Sequence, residues 1–322
     1  MEFFTEAIYH YFPRAMINLI HQIDPEVLKQ VIEIRLRANQ PTLLVLMQRE
    51  SMLSATGGLT DIKEKAYICR LDDIQKIVQM ISKNSIYALE EELKLGFITI
   101  DGGHRVGLAG KAIMENGHLK ALKNIGSLNF RIAKDVVSCS NQIIPYLVEN
   151  EHILNTLLIA PPRAGKTTLL RDMIRSFSNG CNYIKGVQVG VVDERSELAA
   201  VKDGVPLFNI GMRTDVLDGC PKAEGILMLI RTMAPVVIVT DELGRKQDVF
   251  ALCEALHAGV SVISSVHGRS VEDVAQRPYV EDLIKQRFFD RYVVLTSHPV
   301  AGTVEKIVNV KNDEILFDKS RW

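Results

Sequence analysis

A stretch in the middle of the chain combines an apolar run, a loop of small residues, a lysine and two hydroxyl groups. The apolar run Leu154–Ala160 is followed by Pro161-Pro162-Arg163-Ala164-Gly165-Lys166-Thr167-Thr168. This is the pattern of a phosphate-binding loop (Walker A), except that Ala160 stands at the first position, where glycine is usual. The backbone N–H groups of such a loop, and the N-terminus of the helix that follows it, bind phosphate oxygens.

The side chains of this loop have separate tasks in that interpretation. Gly165 lets the backbone approach a phosphate closely, Lys166 reaches the β and γ phosphates, and Thr167 places its hydroxyl on Mg²⁺. The residues predicted to bind the nucleotide are Pro162, Arg163, Ala164, Gly165, Lys166, Thr167 and Thr168. The sequence therefore predicts a site for ATP and Mg²⁺. By itself this loop indicates binding, not hydrolysis.

A second apolar run ends in two acids. Val236–Thr240 is followed directly by Asp241 and Glu242, which is the form expected of a Walker B motif. Asp241 is predicted to hold the Mg²⁺ shell, and Glu242 to orient or deprotonate the attacking water. Together with the phosphate-binding loop, these two acids predict an ATP phosphohydrolase.

Two more predicted strands end in polar residues. Val187–Val192 runs into Asp193 and Glu194, and Val260–Val266 runs into His267. In an open parallel sheet, ligands lie outside the carboxyl ends of the strands. Four strand ends would thus bring these side chains to the same edge as the loop and the Walker B acids. Glu194 is predicted to support Mg²⁺ or the water, and His267 to sense the γ phosphate.

The elements that position these residues change character along the chain. The first half is typical of an α+β domain, with helices predicted over Glu6–Ile20, Leu71–Ser82 and Ser85–Leu95, and strands over Gly96–Ile100, Arg105–Ala112 and Ser127–Ala133. The second half alternates apolar strands with helices, which predicts a doubly wound, mostly parallel sheet. The change falls in the stretch Cys139–Glu151 and predicts two domains, residues 1–145 and 146–322.

The composition excludes several classes of protein. Charged residues are 24% and hydrophobic residues 47%, which are ordinary globular values. The 38 Lys+Arg against 39 Asp+Glu leave no basic excess of the kind common in nucleic-acid-binding proteins, so no nucleic-acid partner is expected. The five cysteines form no Cys-x-x-Cys pair that would indicate a zinc site. The cysteines are typical of reduced thiols in a cytosolic protein. No apolar run approaches the roughly 18 residues of a membrane span, so a soluble protein is expected.

The near-neutral net charge of the whole chain includes one local excess of positive charge. From Gly102 to Lys134 there are six basic residues and a single acid, Glu115. A basic, strand-rich surface of this kind is suited to binding phosphate groups. These include the phosphates of a nucleotide held by a neighbouring subunit, which an arginine finger contacts. A solvated hairpin is the alternative interpretation.

Taken together, these motifs resemble a sporulation branch of the type II/IV secretion ATPase superfamily. The residues that carry the resemblance run through most of the chain and are Glu33–Arg37, Ser85–Leu93, Gly96–Ile100, Gly102–Gly110, Ala160–Thr167, Val192–Glu197, Arg213–Asp218, Ile230–Pro235, Asp241–Glu242 and Val266–Gly268.

The resemblance implies a RecA-like P-loop ATPase domain behind a smaller N-terminal α+β domain, in a ring that is usually hexameric. Asp193–Arg195 stands at the acidic box of the superfamily, and His267–Gly268 at its histidine box. Arg105 and Arg131 match arginines that reach nucleotide phosphates in such rings. This chain departs from many secretion ATPases in having Asp241 where they have glycine. Its N-terminal domain is also short.

The implied activity is ATP hydrolysis that energises a membrane channel or secretion complex between mother cell and forespore. The protein would act from the mother-cell cytoplasm, peripheral at the membrane, through membrane-embedded partners. The residues alone leave two other functions open. One is a RecA-like nucleic-acid-dependent ATPase. The sequence argues against it, because it lacks stretches that combine aromatic and basic residues, on which the bases of single strands stack. The other is a nucleotide-gated structural ring, which would need Lys166 but not Glu242.

Overall fold

A computed structural model describes residues 6–82, 97–115, 117–133 and 136–321. The helix predicted over Ser85–Leu95 lies outside these described residues. The chain divides into two compact units, Met1–Lys134 and Asp135–Trp322, so the division comes before the stretch Cys139–Glu151. Ser138, soon after it, donates its backbone N–H to the Asp172 carboxylate of the second unit at 2.9 Å.

The first unit contains a seven-stranded antiparallel sheet. Its strands are β1 (Val31–Arg37), β2 (Leu43–Leu46), β3 (Glu50–Leu53), β4 (Leu59–Thr60), β5 (Phe97–Ile100), β6 (His104–Glu115) and β7 (His118–Arg131). Their order across the sheet is β4-β3-β2-β1-β7-β6-β5. Alternate residues of the central strands, such as Ile34, Leu36 and Phe130, are buried in one apolar core. This alternation is the pattern of a sheet with one face packed against a core.

Among the described residues, the helices of the first unit are α1 (Glu6–Tyr9), α2 (Arg14–Ile20), α3 (Pro25–Leu28) and α4 (Leu71–Ile81). The single helix predicted over Glu6–Ile20 is wrong, because Pro13 stands between α1 and α2 as the N-cap of α2. Proline has no N–H to donate, and its ring clashes with the preceding turn of a helix. Helix α4 agrees with the predicted Leu71–Ser82, and it buries Ile74 and Ile77.

The second unit contains an eight-stranded sheet. Its strands are β8 (Thr156–Ala160), β9 (Val189–Asp193), β10 (Thr214–Asp218), β11 (Val237–Glu242), β12 (Ser261–His267), β13 (Arg291–Thr296), β14 (Thr303–Asn309) and β15 (Glu314–Asp318). Their order is β10-β9-β11-β12-β8-β13-β14-β15. Neighbours from β10 to β13 are parallel, and β14 and β15 are antiparallel. The prediction of an α/β fold with a mostly parallel sheet is therefore confirmed.

The helices of the second unit are α5 (Ile144–Leu147), α6 (Lys166–Asn179), α7 (Lys222–Met233), α8 (Lys246–His257), α9 (Val271–Val274) and α10 (Val280–Lys285). In α7, a Cβ added to Gly225 would lie 2.6 Å from Cγ1 of Val192. This glycine therefore lets the first turns of α7 pack closely on the carboxyl end of β9.

Short paired segments and single turns complete the described structure. The two-stranded ribbons pair Gln40–Pro41 with Ile68–Cys69, Val148–Glu149 with His152–Ile153, Gly180–Cys181 with Ile184–Lys185, and Val201–Lys202 with Val205–Pro206. The 3₁₀ turns are Lys63–Lys65, Asp101–Gly103 and Lys319–Arg321.

Candidate active site

The loop between β8 and α6 is fixed by its own backbone and by a neighbouring loop. All of β8 is buried, and α6 begins at Lys166. Gly165 has a φ of +80°, and a Cβ there would lie 2.7 Å from the backbone N of Gly302. The Gly302 N–H also donates to the Ala164 carbonyl at 2.9 Å. Glycine at position 165 is thus needed both for the left-handed backbone and for this close approach.

The residues predicted to bind the nucleotide lie along this loop and the first turn of α6. Pro162 and Arg163 are exposed, Ala164 is buried, and Gly165, Lys166, Thr167 and Thr168 are half-buried. The first backbone N–H groups of a helix have no partner within the helix and carry its positive dipole end. The start of α6 therefore offers donors to an anion.

One carboxylate oxygen of Glu242 connects the loop to the neighbouring strands. Lys166 Nζ lies 3.8 Å from Glu242 Oε2, and His267 Nε2 lies 3.1 Å from the same oxygen. The strand order explains this meeting, because β12 lies between β8 and β11 and pairs His267 with Ala160. Burial lowers the pKa of Lys166, and the Glu242 carboxylate opposes that effect. The structure thus brings Lys166, Glu242 and His267 together.

A lysine that the sequence analysis did not select lies between two of the predicted acids. Lys222 begins α7, and its Nζ lies 2.5 Å from Glu194 Oε2 and 2.9 Å from Asp241 Oδ1. Arg245 Nη1 lies 3.5 Å from the other Glu194 oxygen. Burial alone would lower the pKa of Lys222, but the Glu194 hydrogen bond and the charge of Asp241 outweigh it and raise the pKa.

The two adjacent acids after β9 have different surroundings. Asp193 is buried, and it accepts hydrogen bonds from the backbone N–H groups of residues 197–199 at 2.7, 2.8 and 2.9 Å. Burial raises the pKa of Asp193 to about 6, although these N–H groups act in the opposite direction. Burial would also raise the pKa of Glu194, but Lys222 holds it below the usual value. Asp193 therefore shapes the loop after β9, whereas Glu194 faces the lysine.

The arginines named by the resemblance lie in the first unit. Arg105 on β6 and Arg131 on β7 are directly opposite each other across the antiparallel pair. The Arg105 guanidinium lies over the ring of Phe97, 4.4 Å from its centre. Arg131 is exposed. The structure thus pairs the two arginines on one sheet, and their role at a nucleotide stays a prediction.

The oxygen donors around the loop suit Mg²⁺. Thr167 offers a hydroxyl and Asp241 a carboxylate, and Mg²⁺ prefers hard oxygen ligands. Across the described ranges, no group of three or more His, Cys, Asp or Glu side chains is placed to hold a metal ion alone. Mg²⁺ in proteins commonly takes several of its ligands from water and phosphate oxygens.

Within the part of the chain that the structure describes, no helix combines the length and the apolar character needed to cross a membrane.

Solved structures that share this architecture include a pilus retraction motor and two ATPases named DotB. The pilus retraction motor PilT with bound ADP matches with a TM-score of 0.55 and 14% identity, over 91% of this chain and 81% of that one. The ATPase DotB of Yersinia pseudotuberculosis matches with a TM-score of 0.56 and 14% identity, over 88% and 73%. DotB of Legionella pneumophila matches with a TM-score of 0.53 and 14% identity, over 82% of this chain and 72% of that one. The fold is therefore that of the RecA-like secretion ATPases, as predicted.

Sequence relatives define the family within this class. The profile of the family described as "Sporulation stage III, protein AA" matches residues 5–315, and the chain belongs to that family. Stage III sporulation protein AA of Bacillus subtilis (strain 168) is 45% identical over 304 residues, which are 94% of each chain. Protein SEEDLING PLASTID DEVELOPMENT 1 of Arabidopsis thaliana is 29% identical over 167 residues, 51% of this chain and 23% of that protein. The resemblance to a sporulation branch is thus confirmed.

Proposed function

We propose that this chain is a Mg²⁺-dependent ATP hydrolase that works as a ring on a membrane complex during sporulation. The family membership supports the sporulation role, and the secretion-ATPase fold supports nucleotide binding. The observation that carries hydrolysis is the Glu242 carboxylate, which lies within 3.8 Å of Lys166 and 3.1 Å of His267. A group that contacts both the phosphate-binding lysine and a polar side chain of the next strand is suited to control an attacking water.

Lys166 is proposed to bind the β and γ phosphates of ATP. The ammonium lies 3.8 Å from Oε2 of Glu242, and burial lowers its pKa. Phosphate oxygens carry more negative charge, and they are expected to draw Lys166 away from Glu242. Nucleotide binding would then stabilise the charged lysine and release Glu242 for chemistry.

Glu242 is proposed to orient and deprotonate the water that attacks the γ phosphate. A positioned general base typically contributes a factor of about 10² to 10⁴ in rate. His267 holds one oxygen of this carboxylate and is proposed to sense the γ phosphate. Thr167 and Asp241 are proposed to hold Mg²⁺, which would neutralise charge on the phosphate oxygens. Glu194 supports that side of the site through Lys222.

The ring is proposed to be a homo-oligomer, most simply a hexamer, that shares catalysis between subunits. The opposed pair Arg105 and Arg131, within a locally basic sheet, supports a role at the phosphates of a nucleotide bound by a neighbour. The ring would energise a channel or secretion complex between mother cell and forespore. It would lie in the mother-cell cytoplasm, held at the membrane by membrane-embedded partners, and no nucleic acid is proposed as a ligand.

Two substitutions separate binding from hydrolysis. Lys166→Ala is expected to abolish ATP binding in isothermal titration, whereas Glu242→Gln is expected to bind ATP and release phosphate at least about a hundredfold more slowly. Glu254→Gln, an acid of α8 whose side chain is 46% exposed, is the matched control and should behave as the parent does.

Other results would contradict the proposal or favour one of its alternatives. Equal turnover in Glu242→Gln and the parent would contradict the assignment of the base. Full function of that variant in cells would favour a nucleotide-gated structural ring. A strong rise of turnover with single-stranded DNA would favour a nucleic-acid-dependent ATPase. Mass measurement in solution with and without ATP tests the ring, and a strict monomer with full activity would contradict shared catalysis.

A further inference from the structure

Lys222 occupies a position between the ends of two neighbouring strands. Glu194 directly follows β9, and Asp241 lies at the end of β11, and these strands are parallel neighbours. The Lys222 ammonium contacts both carboxylates, at 2.5 and 2.9 Å. Its side chain is only 6% exposed and that of Asp241 only 7%. Removing one partner from a buried ion pair leaves the other charge uncompensated, which is strongly unfavourable.

The charges of Lys222, Glu194 and Asp241 determine which ions bind between the two strand ends. Two carboxylates face one buried ammonium. Arg245 Nη1 lies 3.5 Å from Glu194 with 67% of its side chain exposed, and the charges of Arg195 and Lys166 also act on Glu194 and Asp241, respectively. A divalent cation has the same preference for carboxylate oxygens as the ammonium has, and it carries twice the charge. The Lys222 ammonium therefore occupies a position between two carboxylates at which a metal ion would otherwise bind.

The contact between Lys222 and Asp241 is direct. Nζ of Lys222 lies 2.9 Å from Oδ1 of Asp241, and both side chains are almost completely buried. A metal ion that binds Asp241 through Oδ1 must therefore displace a charged group. The phosphates of a nucleotide, which bring their own Mg²⁺, provide an attraction that free metal ions lack.

We propose that Lys222 is a built-in counter-ion that competes with the divalent cation for Asp241, so that the nucleotide-free chain binds metal weakly there. Lys222 is a positioning residue in this role, because it acts on the metal through Asp241 and Glu194. The inference rests on the proposed Mg²⁺ site at Asp241, and it does not require that ATP be hydrolysed.

The test is a titration of the full chain with Mn²⁺ alone, without nucleotide, followed by calorimetry. Lys222→Met keeps the length of the side chain and removes the charge, and it is expected to bind one Mn²⁺ at least about tenfold more tightly than the parent. Lys222→Arg restores the positive charge and should bind as weakly as the parent does. Lys246→Met, an exposed lysine at the start of α8, is the matched control and should not change the affinity.

A second measurement covers the case in which the variant is unstable. The melting temperature of Lys222→Met is expected to rise with added Mg²⁺, whereas that of the parent changes little. The proposal is overturned if folded Lys222→Met binds Mn²⁺ no better than the parent, or if Mg²⁺ does not restore an unfolded variant. It is also overturned if the tighter binding persists in Lys222→Met/Asp241→Asn. A parent without ATPase activity would contradict the proposed function alone, because these affinities are measured without nucleotide.

Discussion

Nε2 of His267 lies 3.1 Å from Oε2 of Glu242. The other imidazole nitrogen, Nδ1, is buried and has no hydrogen-bond partner among the residues that the structure describes. A neutral imidazole that donates from Nε2 leaves Nδ1 as an acceptor. This arrangement uses the histidine to fix the direction of the Glu242 carboxylate.

His267→Gln is expected to keep the affinity for ATP within about twofold and to lower turnover by about tenfold, because misplacing a reacting group by a small distance is costly in rate. Phosphate release and isothermal titration measure the two effects. His257→Gln, whose histidine side chain is 79% exposed on α8, should match the parent. Unchanged turnover in His267→Gln would contradict the role of His267 in orienting the Glu242 carboxylate.

Gly165→Ala is expected to lower the free energy of unfolding by about 2 kcal/mol or more. A left-handed backbone costs a residue with a Cβ about 1–2 kcal/mol, and the new methyl would lie 2.7 Å from the Gly302 nitrogen. Gly244→Ala is the control, because its Cβ would meet no atom within 4 Å. Urea denaturation measures both variants, and equal losses would show that the loop tolerates a side chain.

Asp193→Asn is expected to change how stability depends on pH. The pKa of Asp193 is raised from its ordinary 3.8 to about 6, so the folded chain holds this proton more tightly than the unfolded chain. Asp193 therefore reduces stability as the pH rises from about 4 to 6, by up to about 1.4 kcal/mol per pH unit. The free energy of unfolding of the parent minus that of Asp193→Asn should fall across this window.

Urea denaturation at several pH values measures that difference. Asp203→Asn, at an exposed acid in the same half of the chain, is the matched control. A flat or rising difference for Asp193→Asn would mean that the hydrogen bonds from residues 197–199 outweigh burial.

Arg131→Gln is expected to lower turnover by about 10² or more if this arginine acts on phosphates. If it acts across a subunit boundary, mixing Arg131→Gln with Lys166→Ala chains should raise turnover at least about tenfold above either variant alone. The mixed ring joins an intact phosphate-binding loop from one chain to an intact Arg131 from another. Arg277→Gln, at an arginine of the second unit whose side chain is 40% exposed, serves as the control. Absence of recovery in rings shown to contain both chains would exclude action between subunits.

The buried strands of the second unit could be predicted closely from the sequence. Val236–Thr240 and Val260–Val266 correspond to β11 (Val237–Glu242) and β12 (Ser261–His267). Parallel strands are covered on both faces and therefore form continuous apolar runs. Strand β10, Thr214–Asp218, was not predicted as a strand, because it lies at the edge of the sheet and none of its residues is buried.

The long strands of the first unit were predicted too short. Ser127–Ala133 was predicted as a strand, whereas β7 extends from His118 to Arg131. The Lys-rich part of β7 pairs with the outer half of β6, where most residues are exposed. Strands that are solvated on both faces lack the apolar alternation by which strands are recognised.

Lys222 could not have been found from local sequence patterns. It lies in the first turn of a helix, where a lysine ordinarily points into solvent. Its position depends on Gly225, which brings α7 against Val192 of β9. That contact joins segments that are distant in the chain, so only the folded structure shows it.

The order of the central strands also has a consequence for synthesis of the chain. Strand β12 lies between β8 and β11, yet it follows both of them in the sequence. A nascent chain can therefore complete both of those strands and still lack the segment that separates them. Lys166 and Glu242 take up their final places only when Ser261–His267 has left the ribosome and inserted. The candidate site is in this sense assembled late, after most of the second unit has been synthesised.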